Sequence, residues 1–327
     1  MLPSTLKPRD PESNVIHSII FDTDPGVDDA QAIAIALRHP EIDLLGMTTT
    51  YGNVDVETAT HNALLLAELA GREIPVAQGA AAPLIKPRHA PPAHIHGANG
   101  LGNITLPTVS GRAESRCAAQ FIVDTVNERP GEVTLVAVGP LGNLAAALQL
   151  DPTLVDKVKG VVVMGGSIRE GGNVTPVAEA NMFNDPDAAA RVLTAGWPLT
   201  LVGLDVTHRC VLTPAHMARI EGGQGELGRV LAGSYAFYRD FYQSALGIDG
   251  CCPHDSCALA WLLRPELFTT SRGHLSVVTE GDAEGQTLFA PEGRGFIEDR
   301  WSRTPLVDVC LGVEGQTVSD WIAEVLA

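Results

Sequence analysis

Phe21-Asp22-Thr23-Asp24-Pro25-Gly26-Val27-Asp28-Asp29-Ala30 places four carboxylates within eight residues. Directly before it runs the apolar stretch Val15-Ile16-His17-Ser18-Ile19-Ile20-Phe21, and directly after it the helix-forming segment Ala30 to Leu37. A strand that ends in a Pro-Gly turn and enters a helix sets its polar residues at the carboxyl edge of a sheet. In open α/β sheets that edge is where ligands bind. Acids in a first helical turn are favoured by the helix dipole, which accounts for Asp28 and Asp29 alone. Asp22 and Asp24 lie on the other side of the turn. Four like charges this close repel unless a cation or shared protons relieve them. With Pro25-Gly26 folding the chain back, Asp24 and Asp29 can approach one hard, oxygen-liganded metal ion.

The rest of the chain is built on the same unit. Strand patterns at Asp43 to Thr50, Pro75 to Ala77, Val133 to Val138, Val161 to Met164 and Leu199 to Val206 alternate with helical ones. The helices are expected at Val56 to Ala70, Ala113 to Glu128, from about Leu144, at Asp187 to Thr194, from Thr213-Pro214, and at Leu227 to Leu246 and Asp255 to Leu263. Strands near Leu275 to Val278 and Thr304 to Leu311 and a helix over Val318 to Leu326 close the chain. The nearly all-apolar strands are of the kind buried in a parallel sheet. The pattern predicts one α/β domain over residues 15–327, with a mostly parallel, Rossmann-like central sheet flanked by helices. Residues 78–112 form a long loop rich in Pro, Gly and His, a length that usually marks a functional segment or lid.

Composition narrows the function. The 327 residues carry 22 Lys+Arg against 39 Asp+Glu, a net charge of −17, which disfavours nucleic-acid and anionic-membrane partners. Residues 1–14 are polar and Pro-rich with no apolar core, and read as a flexible leader rather than a signal peptide. No stretch approaches the roughly 18 apolar residues of a membrane helix. Cysteines at 117, 210, 251, 252, 257 and 310 match no zinc spacing, so reduced thiols in a cytoplasmic protein are expected.

Polar residues collect where the predicted parallel strands end. Asn53 follows the second strand, and Gly142-Asn143, whose carbonyls are candidate hard ligands, follows the fourth. A Pro-broken loop after the fifth holds Asn173, Glu179 and Asn181, residues that an ordinary solvated turn would also accommodate. Asp255, in Pro253-His254-Asp255-Ser256, is equally readable as a helix cap. Tyr238 and Tyr242 share a helix face, an arrangement common in cores.

Taken together the motifs resemble the inosine-uridine preferring nucleoside hydrolases. The resemblance rests on Asp22 to Ala30, Tyr51-Gly52-Asn53, His96-Gly97-Ala98-Asn99-Gly100-Leu101-Gly102 and Val138-Gly139-Pro140-Leu141-Gly142-Asn143. It continues through Val163-Met164-Gly165-Gly166, Gly172 to Asn181 with Asp185-Pro186, and His254-Asp255, in one collinear order over roughly residues 16–325. It implies a Ca²⁺-dependent N-glycosidase that splits ribonucleosides into ribose and base, in a homodimer or homotetramer. Asp24, Asp29, Asp255 and the Gly142 carbonyl match the metal ligands, with Gly142 standing where many relatives have Thr. Asp28, Asn173, Glu179 and Asn181 match ribose-binding positions, and Asn53 a partner that orients Asp24, the general base. His254 matches a leaving-group acid. Tyr238 and Tyr242 fall around the nucleobase, His96 in a mobile pocket loop, and Met164 among the substrate contacts. A haloacid-dehalogenase-like phosphatase also begins with two Asp two apart after a strand, but the later Lys and paired acids it needs have no counterpart. A catalytically silent nucleoside-binding protein is the other alternative.

Overall fold

A computed structural model describes residues 15–223, 225–298, 301 and 303–327. The leader expected at 1–14 lies outside them. The first half holds β1 (His17–Thr23), α1 (Val27–Arg38), β2 (Ile42–Thr49), α2 (Val56–Leu69), β3 (Val76–Gln78), α3 (Ala93–His96) and α4 (Ala118–Glu128). Then come β4 (Val133–Ala137), α5 (Gly142–Leu150), α6 (Leu154–Lys157), β5 (Gly160–Met164), α7 (Ala180–Asn184), α8 (Pro186–Leu193), β6 (Leu199–Val202) and α9 (Leu204–Thr207). The remainder comprises α10 (Pro214–Gly223), α11 (Gly225–Leu246), α12 (His254–Leu263), β7 (Phe268–Val277), β8 (Thr287–Pro291), β9 (Leu306–Val313) and α13 (Gly315–Leu326).

The strands form one sheet in the order β3-β2-β1-β4-β5-β6-β9-β7-β8. Pairing is parallel from β3 through β9, and antiparallel only where β7 meets β9 and β8. Successive side chains of a strand point to opposite faces. Accordingly Ile19 and Phe21, Val136 and Val138, and Val162 and Met164 enter a core with α1, α11 and α12. Their neighbours Ile20, Leu135, Ala137, Val161 and Val163 enter a second core with α4, α5 and α8. Both faces are covered, which is why these strands read as unbroken apolar runs.

The structure departs from the expected elements at several places. The strand expected to reach Val206 ends at Val202, because Gly203 turns the chain and its carbonyl accepts the N–H groups of Val206 and Thr207. The fourth helix starts at Ala118, with Cys117 as its exposed capping residue, rather than at Ala113. β8 was not expected, since an edge strand pairing on one side only leaves a weak apolar pattern. Among the described residues no helix is long and apolar enough to cross a membrane.

Candidate active site

The carboxyl ends of β1, β2, β4, β5 and β6 open on one edge, and the chemistry collects there. β1 delivers Asp22 and the turn Asp24-Pro25-Gly26, and α1 begins at Val27, so Asp28 and Asp29 occupy its first turn. α12 starts with His254 and Asp255, and its contact with α1 brings Asp255 to the same place. Carboxylate oxygens of Asp28, Asp29 and Asp255 lie within 4.8 Å of one another, and all three residues are buried.

Each acid is held differently. Asp29 accepts from Thr23 Oγ1 at 2.6 Å, from the backbone N–H groups of Asp24 at 3.2 Å and Gly26 at 3.0 Å, and from Asn53 Nδ2 at 2.9 Å. Asp24 takes the backbone N–H of Asn53 on Oδ2 at 2.7 Å, while its buried Oδ1 has no hydrogen-bond partner. Asp28 Oδ1 is likewise buried without a partner. Asp22 turns away from the other three. Its Oδ1 accepts from Thr48 Oγ1 at 2.5 Å and Asn143 Nδ2 at 2.7 Å.

Burial raises these acids first, and their mutual repulsion follows. Asp24 is pushed well above the usual carboxylate range by burial and then by Asp29. Burial and the charge of Asp29 raise Asp28, and burial with Asp28 and Asp29 raises Asp255. Burial lifts Asp22 to about 7 against the pull of its two hydrogen bonds. Partnerless buried carboxylate oxygens and converging hard donors are what an oxygen-loving divalent cation satisfies, so the residues present fit Ca²⁺. Gly142 opens α5 beside Ala80 and Asp185, a Cβ there lying 3.1 Å from the Ala80 methyl.

Across the edge, the loop after β5 supplies the next group. Glu179 is buried and raised by burial, and accepts from the backbone N–H groups of Gly166 at 2.8 Å, Asn181 at 2.9 Å and Met182 at 3.2 Å. Asn181 donates to the carbonyls of Val138 at 2.7 Å and Met164 at 3.2 Å, and so bridges the ends of β4 and β5. Asn173 stays exposed and accepts the Ala180 N–H at 3.0 Å, which closes the loop on itself.

A third group packs on the other flank. His96 Nδ1 accepts the Val27 N–H at 3.1 Å and sits 3.9 Å from Asp28 Oδ1. Burial lowers this imidazole to about 3, so it stays neutral beside the acid. Its ring lies 5.1 Å from that of Tyr238, whose hydroxyl is 3.5 Å from Tyr242 Oη. Tyr242 Oη is 2.8 Å from His254 Nε2, and His254 Nδ1 is 2.7 Å from Thr207 Oγ1. Burial, then the neighbouring His208, lowers His254 to about 3.

Sequence reasoning therefore named most of the cluster but missed Thr207, His208, Asp205 and the side chain of Asn143. The signal for the first three was positional: Gly203 to His208 follows β6 at the same carboxyl edge. Asp205 fastens that turn by accepting from the Ile168 and Arg169 N–H groups at 2.7 and 2.8 Å.

A mostly parallel α/β sheet with buried carboxylates, amides and a histidine gathered at its carboxyl edge has the form of an enzyme active site suited to acid–base and metal-assisted chemistry. A family model described as inosine-uridine preferring nucleoside hydrolase matches residues 19–320. The chain is 41% identical over 276 residues to uridine nucleosidase 1 of Arabidopsis thaliana, covering 84% of this chain and 82% of that one. It is 40% identical over 310 residues to the non-specific ribonucleoside hydrolase RihC of Escherichia coli (strain SMS-3-5 / SECEC), covering 94% and 98%. The solved plant nucleoside hydrolase PpNRh1 superposes with a TM-score of 0.90 at 40% identity, over 95% of this chain and 98% of that one. The chain belongs to the inosine-uridine preferring nucleoside hydrolase family. It is an enzyme that hydrolyses ribonucleosides, which sets aside the phosphatase and the silent binder.

Proposed function

We propose that the protein is a Ca²⁺-dependent N-glycosidase that converts ribonucleosides, with a purine base, a pyrimidine base or either, to ribose and free base. The observation that carries this reading is the meeting of Asp28, Asp29 and Asp255 oxygens within 4.8 Å, beside the partnerless Oδ1 of Asp24. Asp24, Asp29 and Asp255 would hold the ion, whereas Gly142, expected beside them, lies in the first turn of α5 next to Ala80 and Asp185, with its carbonyl directed along that helix. When bound, Ca²⁺ supplies positive charge that makes water more acidic and orients ribose hydroxyls.

The remaining work belongs to side chains. Asp24 accepts one proton from the attacking water, whose oxygen adds to the anomeric carbon. Asn53 keeps Asp24 in place through its backbone N–H. Asp28, Asn173, Glu179 and Asn181 bind the ribose, and their oxygens favour the positive charge that develops on the ring. The C1′–N pair of electrons leaves with the base, which takes a proton from the hydrogen-bonded His254 and Tyr242. The proton on Asp24 returns to that pair through solvent, so nucleoside and water balance ribose and base. Tyr238, Met164 and the His96 loop line the base and sugar. A cytoplasmic role in nucleoside salvage and a homodimeric or homotetrameric assembly complete the proposal.

The test is ribose release from inosine, uridine, cytidine and adenosine, with and without a Ca²⁺ chelator. Release that survives exhaustive chelation removes the metal, and the pattern over four substrates sets the base preference.

A further inference from the structure

The geometry points to Thr207 as the positioning residue that fixes the His254 tautomer, and with it the direction of the Thr207–His254–Tyr242 hydrogen-bond chain. This inference rests on the proposed N-glycosidase reading and extends it to a residue outside the family motifs quoted above.

Thr207 is completely buried, and its hydroxyl has one proton to place. A threonine in a helical turn often gives that proton to the carbonyl four residues back. Here that carbonyl, Gly203 O, already accepts the N–H groups of Val206 at 3.1 Å and Thr207 at 3.2 Å. The remaining acceptor is His254 Nδ1 at 2.7 Å. Leaving a buried hydroxyl proton unplaced costs about 1–3 kcal/mol, more than an unused lone pair does. Thr207 therefore donates and Nδ1 accepts. A neutral imidazole with Nδ1 accepting carries its proton on Nε2. Nε2–H in turn donates to Tyr242 Oη at 2.8 Å, which frees the Tyr242 proton for Tyr238 Oη, 3.5 Å away, or for a leaving base.

Two further contacts make Thr207 a rigid reference. Asp205, two residues earlier, ties α9 to the backbone of Ile168 and Arg169. His208, the next residue, packs its ring edge-on at 5.6 Å from that of His254. No carboxylate faces Nδ1 in the hydrogen-bond pattern. The chain therefore selects a tautomer and not an ion pair. With the opposite tautomer, Nδ1–H would donate to Thr207 and Nε2 would draw the Tyr242 proton to itself, away from the base.

The experiment compares wild type, Thr207→Val and Thr207→Ser on inosine and on 4-nitrophenyl riboside, whose leaving group departs without protonation. Thr207→Val is expected to lower kcat on inosine by about 10- to 100-fold. It should leave KM and the aryl riboside rate near wild type, and Thr207→Ser should restore inosine cleavage. Long-range ¹H–¹⁵N spectra, with the signal assigned through His254→Gln, should place the proton on Nε2 in wild type and not in Thr207→Val. Equal losses on both substrates, unchanged inosine turnover, or an Nδ1–H signal in wild type would overturn the inference. The spectrum reads Thr207 even in a protein that releases no ribose, and inactivity of the wild type on every nucleoside would instead sink the N-glycosidase reading.

Discussion

Asn143 Nδ2 lies 2.7 Å from Asp22 Oδ1, across 121 positions of sequence. The same amide also donates to the Thr49 carbonyl at 3.0 Å, and its Oδ1 accepts the Ala80 N–H at 2.8 Å. Asn143 thus ties the ends of β1 and β2 and the start of the long loop to α5. Asp22 braces the strand ends through these bonds and the one from Thr48.

Asp22→Ala should cost about 1–3 kcal/mol, because the Thr48 hydroxyl and one Asn143 donor lose their buried acceptor. Asp22→Asn keeps an acceptor oxygen there and should unfold close to wild type, with Ca²⁺ affinity little changed. Thermal and urea denaturation decide between brace and ligand. A large loss of Ca²⁺ affinity in Asp22→Asn would make Asp22 a ligand after all.

Adding Ca²⁺ to chelator-treated protein should raise the unfolding midpoint by several degrees. A ligand at 100 times its Kd stabilises the folded state by about 2.7 kcal/mol. Asp255→Asn removes one of the three converging carboxylates and should abolish that rise while leaving a folded protein. Scanning calorimetry with and without the ion reads this independently of turnover.

His254→Ala should slow inosine cleavage by about 10²–10⁴-fold, the usual scale of general acid help, and spare 4-nitrophenyl riboside. Equal losses on both substrates would remove His254 from the leaving-group side.

The carboxylate of Asp24 stands in a slot walled by glycine. A Cβ on Gly139 would come 2.5 Å from Asp24 Oδ1, and one on Gly52 would collide with Oδ2. Gly139→Ala should therefore displace Asp24 and cut kcat by about 100-fold with a modest change in KM, since a displacement near 1 Å costs that much in positioning. Steady-state kinetics on inosine check it, and a wild-type kcat would show that the slot yields.

The part of this architecture written in local sequence was legible. Asp22 to Ala30 announced a strand, a turn and a helix, because Pro25-Gly26 and the apolar runs on either side act over a few residues. The buried strands were readable from Val161 to Met164 and their like. What escaped depended on partners far along the chain. Thr207 gains its meaning from His254, 47 positions away, and Asn143 from Asp22. The segment Leu204 to Thr207 follows an apolar strand directly and ends in the β-branched Val206 and Thr207, and the turn at Gly203 makes it helical. In sequence Asp28 stands apart from the pair Asp24 and Asp29 as a ribose-binding position. Folded, its carboxylate meets Asp29 and Asp255 and faces Tyr238 as well.

The thiols carry a practical consequence. Cys210, Cys251, Cys252, Cys257 and Cys310 are buried, while Cys117 alone of the six is exposed, at the head of α4. α4 packs in the core on the opposite side of the sheet from α11 and α12. A maleimide dye or a surface tether would therefore attach to the native enzyme at one defined point, on the face of the sheet opposite α11 and α12. Immobilised or fluorescent enzyme follows without removing any cysteine.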